Sequence, residues 1–180
     1  MKIIGGEHKG RGLLSPRTLR VRPTSDRVRE NIFNIIRSKC EGAVFLDLFA
    51  GVGTVGLEAL SRGAQSVTFV DSSSQSLSYL RKNTKPFQGN IIIYPVKSKV
   101  ALATLAKRGK KFDLVFVDPP FDHGYVHETL ELLDTLDLLN EGFEVIVQHA
   151  AQEPVQDQYK KMKPYDTRKY GMSCVTFLSG

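Results

Sequence analysis

Two short segments hold residues whose types and spacing are suited to chemistry. One of them, Asp118-Pro119-Pro120-Phe121, follows an apolar run. Because its two prolines fix successive φ angles and remove two N–H donors, the segment is a rigid ledge that presents a carboxylate, carbonyl groups and an aromatic ring. Such a ledge suits a planar substrate with an exocyclic amine, whose two N–H bonds Asp118 and the Pro119 carbonyl can accept while Phe121 stacks on the ring. An ordinary proline turn, with Phe121 against the core, is the alternative.

The other segment is a glycine loop over residues 51–56, GVGTVG, which also follows an apolar run. Gly51 and Gly53 allow a ligand to approach the backbone, and Gly56 allows the following helix to pack close to a sheet. Fifteen residues after Gly56, Asp71 ends the next apolar run, where the ribose of an adenine nucleoside would lie. The loop therefore predicts nucleoside binding. A tight turn beside a solvated aspartate is the alternative.

Asp47 lies four residues before the first glycine of that loop. An NAD site seats a pyrophosphate at the helix N-terminus, where a nearby carboxylate would repel it. A carboxylate at this position suits a ligand that carries a cation, such as the amino group or sulfonium of S-adenosylmethionine. A buried carboxylate bonded to backbone amides of the loop is the alternative, and it is compatible with that role.

Apolar runs that alternate with helical stretches position both segments. The runs predict strands at 43–49, 67–70, 91–96, 114–117 and 144–148. Helices are expected between them at 54–62, 75–83, 99–108 and 126–139. Near-continuous apolar strands separated by helices indicate a parallel sheet covered on both faces. The polar stretch 160–169 and the apolar stretch 172–178 predict a C-terminal hairpin that adds antiparallel strands at one edge.

The N-terminal residues carry the net charge. The whole chain has a charge of +6, and residues 1–39 hold ten Lys/Arg against three Asp/Glu, which is +7. Short apolar stretches in this region predict a small β-hairpin, followed by a basic arm and a helix that Thr24 or Ser25 caps and that ends near Arg37. We expect a basic extension over 1–24 and a single domain over 25–180. The basic arm favours a polyanionic partner.

Longer strings of residues resemble a known family. Residues 47–51 (DLFAG), 56–64 (GLEALSRGA) and 118–121 look like class I S-adenosylmethionine-dependent methyltransferases that act on exocyclic amines. The chain also resembles the RsmD family at Ile4-Gly5-Gly6, Lys9-Gly10-Arg11, Arg22-Pro23-Thr24, Asp26-Arg27, Arg29-Glu30, Phe33-Asn34 and Lys169-Tyr170-Gly171. It departs from these patterns at His8, where members often carry an aromatic residue. It departs again at Lys97-Ser98, where related methyltransferases often carry an acid.

The resemblance implies an α/β fold of the Rossmann-like class I methyltransferase type. We expect a mostly parallel seven-stranded sheet with helices on both faces. The implied activity is transfer of a methyl group from S-adenosylmethionine to guanine N2 in 16S ribosomal RNA. The implied partner is that RNA, the small ribosomal subunit or its precursor.

The residues and the resemblance together predict a site of three parts. The catalytic residues are Asp118, Pro119, Pro120 and Phe121. The cofactor contacts are Asp47, Phe49, Gly51, Gly53, Asp71, Ser72 and Ser98. The RNA contacts are Lys9, Arg11, Arg17, Arg20 and Arg22, with residues 160–169 as a second basic patch.

Composition excludes some classes and leaves alternatives within others. No apolar run approaches the roughly 18–20 residues that a bilayer span needs, and the N-terminus lacks an apolar signal-peptide core. The two cysteines, Cys40 and Cys174, have no metal-binding spacing. We therefore expect a cytoplasmic monomer without metal or membrane partner. The alternatives are a DNA adenine-N6 methyltransferase, a non-catalytic RNA-binding protein with a methyltransferase fold, and an NAD oxidoreductase.

Overall fold

The computed structural model describes residues 1–16, 25–121 and 123–180. The helices in these ranges are α1 (Asp26–Ile35), α2 (Arg37–Cys40), α3 (Thr54–Ser61), α4 (Ser74–Thr84), α5 (Ser98–Lys107) and α6 (Tyr125–Thr135). The strands are β1 (Val44–Leu48), β2 (Ser66–Val70), β3 (Asn90–Tyr94), β4 (Phe112–Val117), β5 (Leu139–Ala150), β6 (Lys163–Tyr170) and β7 (Ser173–Ser179). Helices and strands alternate from β1 to β5, as the apolar runs predicted.

The strands form one seven-stranded sheet in the order β3-β2-β1-β4-β5-β7-β6. The first five are parallel, and β7 runs antiparallel to both β5 and β6. Leu48 pairs with both Val70 and Val117, so β1, β2 and β4 end at the same level of the sheet. The Rossmann-like fold with a C-terminal antiparallel hairpin, as predicted from the sequence, is confirmed.

An apolar layer is buried on each face of the sheet. One face is covered by α1, α3 and α4, through Phe33, Leu57 and Leu80. The opposite face is covered by α5 and α6, through Leu102, Leu105 and Leu130. Because side chains alternate along a strand, Phe45 and Asp47 of β1 belong to the α3 face and Leu46 belongs to the other. This alternation places the Asp47 carboxylate under α3.

The N-terminal segment, residues 1–16, packs against the α3 face. An antiparallel bridge between Lys2 and Gly12 closes the predicted hairpin. Ile3 and Leu13 are buried in the same apolar layer as α1 and α3. The predicted boundary at residue 24 stays a prediction, because residues 17–24 lie outside the described part of the chain.

A buried ionic network fastens this segment to the helices. Glu58 of α3 is fully buried and forms ion pairs with Arg62 at 2.7 Å and with Arg29 of α1 at 3.5 Å. The same carboxylate accepts the backbone N–H of Ile4 at 2.9 Å. Arg29 is fully buried as well and pairs with Asp26 at 3.0 Å. Removing one member of such a network would leave a buried charge uncompensated, so the network fixes how the N-terminal segment, α1 and α3 sit together.

Element boundaries differ from the prediction in the leucine-rich stretch after α6. This helix ends at Thr135 rather than at residue 139, and β5 starts at Leu139 rather than at residue 144. Leu139 pairs with Phe112, so β4 also starts earlier than the predicted residue 114. A short apolar run fits a buried strand and a buried helix equally well, and here pairing with β4 decides between them.

Candidate active site

Three carboxylates lie where β1, β2 and β4 end. Asp47 is the penultimate residue of β1, Asp71 follows β2 and Asp118 follows β4. The negative charges of Asp71 and Asp118 both raise the pKa of Asp47, so the three groups are close enough to interact. Three neighbouring carboxylates at one end of the sheet favour a ligand that carries positive charge.

Asp47 is buried beneath the first turn of α3. Its exposed fraction is 2%, and its Oδ2 accepts the backbone N–H of Gly56 at 2.9 Å. Burial raises the pKa of Asp47 to about 8, against the opposing effect of the Gly56 N–H. Asp47 is therefore a buried carboxylate bonded to a backbone amide of the loop, which is the alternative that the sequence left open. Because the carboxylate takes up an N–H group at the start of α3, it counts against a pyrophosphate at that position.

Asp71 holds the glycine loop against the end of β2. Its Oδ2 accepts the backbone N–H of Gly51 at 2.7 Å, and its Oδ1 accepts that of Ser73 at 2.8 Å. Burial is the largest cause of its raised pKa, and the N–H groups of Ser73, Gly51 and Ser72 oppose the rise. A carboxylate oxygen has two lone pairs, so Asp71 retains acceptor capacity for a ligand hydroxyl while it anchors the loop.

The glycines of the loop differ in how closely other residues pack against them. Gly51 has a φ of 58°, and a Cβ at this position would meet nothing within 4 Å. A Cβ on Gly53 would clash with Leu80 of α4, and one on Gly56 would clash with Phe69 of β2. Gly56 therefore allows the close helix–sheet packing that the sequence predicted. The absence of a side chain at Gly53 likewise allows close packing, here against α4, and leaves its backbone atoms to contact a ligand.

The Asp118–Phe121 segment leaves the sheet at the junction of β1 and β4. The Asp118 N–H donates to the carbonyl of Leu48 at 3.4 Å, which continues the pairing of these strands. Asp118 and Phe121 are half-buried, Pro119 is buried and Pro120 is exposed. The ledge predicted from the sequence thus stands next to the end of β1, which carries Asp47.

Phe49 and Tyr125 form an aromatic group at the same edge. Phe49 has a φ of 62°, which is unfavourable for a residue with a Cβ. Its ring centroid lies 6.1 Å from that of Tyr125 at the start of α6, and the Tyr125 ring lies 5.7 Å from His123. Tyr125 is 40% exposed. Backbone strain of this kind is concentrated at functional sites. The sequence reasoning missed Tyr125, whose only signal is an aromatic residue shortly after the ledge.

The remaining predicted cofactor and arm residues lie at three places, and most of the second basic patch, residues 160–169, belongs to β6 at the edge of the sheet opposite β3. Ser72 is exposed directly after Asp71, and half-buried Ser98 is the first residue of α5, in the connection that follows β3. Lys9 and Arg11 are exposed on the N-terminal segment. The predicted RNA contacts outside the described residues are Arg17, Arg20 and Arg22.

Comparison with known proteins identifies the family. The family described as Conserved hypothetical protein 95 matches residues 1–179. The chain belongs to this family. A Bacillus subtilis relative named as the putative rRNA methyltransferase YlbH is 32% identical over 177 residues, which cover 97% of this chain and 96% of the relative. The Escherichia coli ribosomal RNA small subunit methyltransferase D is 42% identical over 135 residues, or 74% of this chain and 67% of that protein.

A solved structure agrees with this assignment. The structure of the putative methyltransferase yhhF from Escherichia coli superposes with a TM-score of 0.87 at 33% identity, covering 99% of this chain and 96% of that one. The predicted membership of the RsmD family, a family of S-adenosylmethionine-dependent methyltransferases, is confirmed.

Across ranges 1–16, 25–121 and 123–180, no helix combines the length and the apolar character needed to cross a bilayer. The same ranges bring together no group of three or more His, Cys, Asp or Glu side chains that could hold a metal ion.

Proposed function

We propose that the protein transfers a methyl group from S-adenosylmethionine to the exocyclic N2 of a guanine in 16S ribosomal RNA. The observation that carries this proposal is the Asp118–Phe121 ledge, which starts beside the end of β1 and its neighbouring glycine loop. Family membership supports the reaction class. The Escherichia coli relative, named as a small-subunit ribosomal RNA methyltransferase, supports the substrate.

The cofactor assignment rests on the acidic edge of the sheet. S-adenosylmethionine carries an ammonium and a sulfonium, and the neighbouring carboxylates of Asp47 and Asp71 suit such a cation. Asp71 would accept a ribose hydroxyl, with Ser72 beside it, and Gly51 and Gly53 would contact the cofactor through their backbone. Phe49 and the Ser98 hydroxyl would complete the contacts, with Ser98 standing where related enzymes often carry an acid.

The chain's own residues align the base with the methyl donor. S-adenosylmethionine supplies an already activated methyl group when bound, so the protein mainly has to position the nucleophile and exclude water. Asp118 and the Pro119 carbonyl accept the two N–H bonds of guanine N2, which favours a pyramidal nitrogen. They also stabilise the positive charge that develops there as the N–C bond forms and the S–C bond breaks. Asp118 is placed to hold the proton that N2 then releases.

The target base has to leave its helix to reach this ledge. A paired guanine is enclosed by its neighbours, so an unpaired or flipped-out nucleotide is required, and Phe121 offers its ring for stacking. Pro119 and Pro120 keep the ledge rigid, which keeps the acceptor atoms in place before the base arrives.

A transfer assay with three substrates tests the proposal. Small ribosomal subunits, naked 16S RNA and DNA are each incubated with methyl-labelled S-adenosylmethionine, and the products are digested to nucleosides. We expect N2-methylguanosine from ribosomal RNA. Methylated adenine from DNA would favour the DNA enzyme instead, and binding of RNA without any transfer would favour a non-catalytic protein.

The Asp118→Ala variant tests whether the ledge is required for methyl transfer. This variant should lose methyl transfer while it retains cofactor affinity by calorimetry, because Asp118 is proposed to contact the base. Asp137→Ala is the matched control, since it removes an exposed carboxylate whose partner is Lys111. Wild-type turnover by Asp118→Ala would overturn the catalytic assignment.

A further inference from the structure

The charge of residues 40–180 is nearly zero in total but strongly segregated along the chain. Residues 72–112 hold nine Lys/Arg and no Asp/Glu, whereas residues 113–157 hold eleven Asp/Glu and no Lys/Arg. The first range contains α4, β3 and α5, and the second contains α6, β5 and most of β4. Since β3 is an edge strand and β4 and β5 lie in the interior of the sheet, the basic range lies to one side of the acidic one.

On the α5 face some basic side chains pair with acidic residues, whereas the exposed Lys107, Arg108 and Lys110 form no ion pair in the described ranges. On the α5 face, Lys99 pairs with Glu128 and Lys111 pairs with Asp137, each at 2.9 Å. On the other face, the exposed basic side chains at the end of α4 form no ion pair with any acidic residue in the described ranges. These side chains are Arg81, Lys82 and Lys85. Positive charge at the end of α4 is therefore available to an external anion.

The N-terminal segment extends this basic region. The Arg11 guanidinium lies 5.8 Å from the centroid of Phe87, just after α4, and the His8 ring meets the same ring edge-on at 4.6 Å. Asn83, in the last turn of α4, accepts the backbone N–H of Leu14 at 2.8 Å and donates to its carbonyl at 2.9 Å. Exposed residues 9 and 11 consequently share one surface with the end of α4.

This surface adjoins the glycine loop. The Asn83 amide also donates to the carbonyl of Val52 at 3.0 Å, and Asn83 itself is buried. One side chain therefore joins the end of α4, the N-terminal segment and the loop at which the cofactor is proposed to bind. A polyanion held on this surface lies next to that loop.

We propose that these side chains form one binding surface for the phosphate backbone of the RNA substrate. The α4 surface, as we call it, consists of Lys9, Arg11, Arg81, Lys82 and Lys85. The proposal rests on the proposed function, which supplies RNA as the ligand. Two of these five residues, Arg81 and Lys82, lie in the last turn of α4, where a basic residue also interacts favourably with the helix dipole. The other three lie outside the helix, and their exposure without acidic partners is what backbone contacts require.

The acidic range, residues 113–157, predicts the side of the molecule from which RNA approaches the α4 surface. The acidic side chains of α6 and β5, in a range that holds no Lys/Arg, disfavour a polyanion on the α6 side of the molecule. RNA is therefore expected to approach from the β3 edge and the α4 face. The ledge receives the base while the α4 surface holds the flanking phosphates.

A pair of matched triple variants tests the α4 surface. R81Q/K82Q/K85Q removes three positive charges after or within the last turn of α4. K107Q/R108Q/K110Q removes one arginine and two lysines from the end of α5, which covers the opposite face of the sheet. Both variants change the net charge equally, so a difference between them reports position rather than total charge.

Binding of a fluorescein-labelled 16S RNA fragment is followed by anisotropy between about 50 and about 200 mM salt. Each phosphate contact contributes roughly 0.7 to 0.9 to the slope of log affinity against log salt. We expect the magnitude of this slope to decrease by about 2 in the α4 variant and by much less in the α5 variant. Cofactor affinity measured by calorimetry should be unchanged in both variants, which shows that they are folded.

Two results would overturn the α4 surface. Equal loss of slope in both variants would mean that only total charge matters, and a wild-type slope in the α4 variant would mean that RNA binds elsewhere. In either case, methylation of the RNA by the wild-type protein leaves the proposed function intact. A wild-type protein that neither binds nor methylates the RNA would overturn the proposed function and the α4 surface together.

Discussion

The affinity for S-adenosylmethionine is expected to depend on pH through Asp47. Burial raises the pKa of this carboxyl to about 8, so it is mostly protonated at neutral pH when no ligand is bound. A cationic ligand favours the charged carboxylate, and binding therefore releases the proton. The dissociation constant should fall as pH rises toward the pKa, by up to about tenfold for each pH unit.

The same shift sets the sign of the effect on stability. The pKa of Asp47 in the folded protein is about 8, above its usual value of 3.8. Its stability contribution is therefore most favourable below the lower value. That contribution is lost progressively as pH rises toward about 8, because the unfolded chain gives up the proton first. A bound cation should recover part of this loss.

Calorimetry at about pH 6 and about pH 7 measures the effect. In this range the ligand's own amino group, whose pKa is about 7.7–8.0 in model compounds, stays charged. We expect about tenfold tighter binding at the higher pH, with release of close to one proton seen as a dependence of the heat on the buffer. Asp47→Asn keeps the shape of the side chain and should abolish both effects. Histidines elsewhere are common to the two proteins, so their contribution cancels.

Either of two results would refute this reasoning. A wild-type dissociation constant that does not change with pH would mean that the Asp47 carboxyl does not respond to the ligand. An unchanged pH dependence in Asp47→Asn would assign the proton to another group.

Two further predictions concern Asp71 and Cys40. Asp71→Ala removes the acceptor for the N–H groups of Gly51 and Ser73. Cofactor affinity should therefore fall by roughly tenfold or more in calorimetry, and unchanged affinity would contradict the anchoring role. Burial raises the pKa of the Cys40 thiol to about 11, so only about one thiol in a thousand is ionised at pH 8. Mass spectrometry after alkylation should find Cys40 unmodified in the folded protein and modified after unfolding; equal rates in both states would contradict this.

Residues whose role follows from backbone geometry could be predicted from the sequence. The alternation of apolar runs located β1 and β4, and Asp47 and Asp118 follow from those positions. Gly56 was expected to allow close helix–sheet packing, and the clash of a Cβ with Phe69 shows why. These features depend on the periodicity of apolar residues and on the positions of glycines. Both can be read directly from the sequence.

Residues whose role depends on distant contacts could not be predicted in this way. Asn83 looks like a polar surface residue of an amphipathic helix, yet it is buried and binds Leu14, 69 positions away. Glu58 likewise meets Arg29 only because α1 packs on α3. Tyr125 meets Phe49 because α6 begins close to the end of β1. In each case the three-dimensional packing, and not local pattern, creates the interaction.

The total charge of the chain likewise does not show how charge is distributed in the folded protein. Residues 1–39 carry a charge of +7, so the remainder of the chain is near neutral in total. The remainder in fact combines a wholly basic range, 72–112, with a wholly acidic one, 113–157. The sheet order shows that these ranges lie side by side. The hydrogen bond between Leu14 and Asn83 shows that the end of α4 meets the N-terminal segment.

Nucleoside analysis of 16S ribosomal RNA tests the central claim most directly. RNA is compared from cells that carry the gene, cells that lack it, and cells that carry the Asp118→Ala form. We predict an N2-methylguanosine that is present only with the wild-type gene and maps to a single nucleotide of the small-subunit RNA. The same N2-methylguanosine content in all three RNAs would contradict the proposed function.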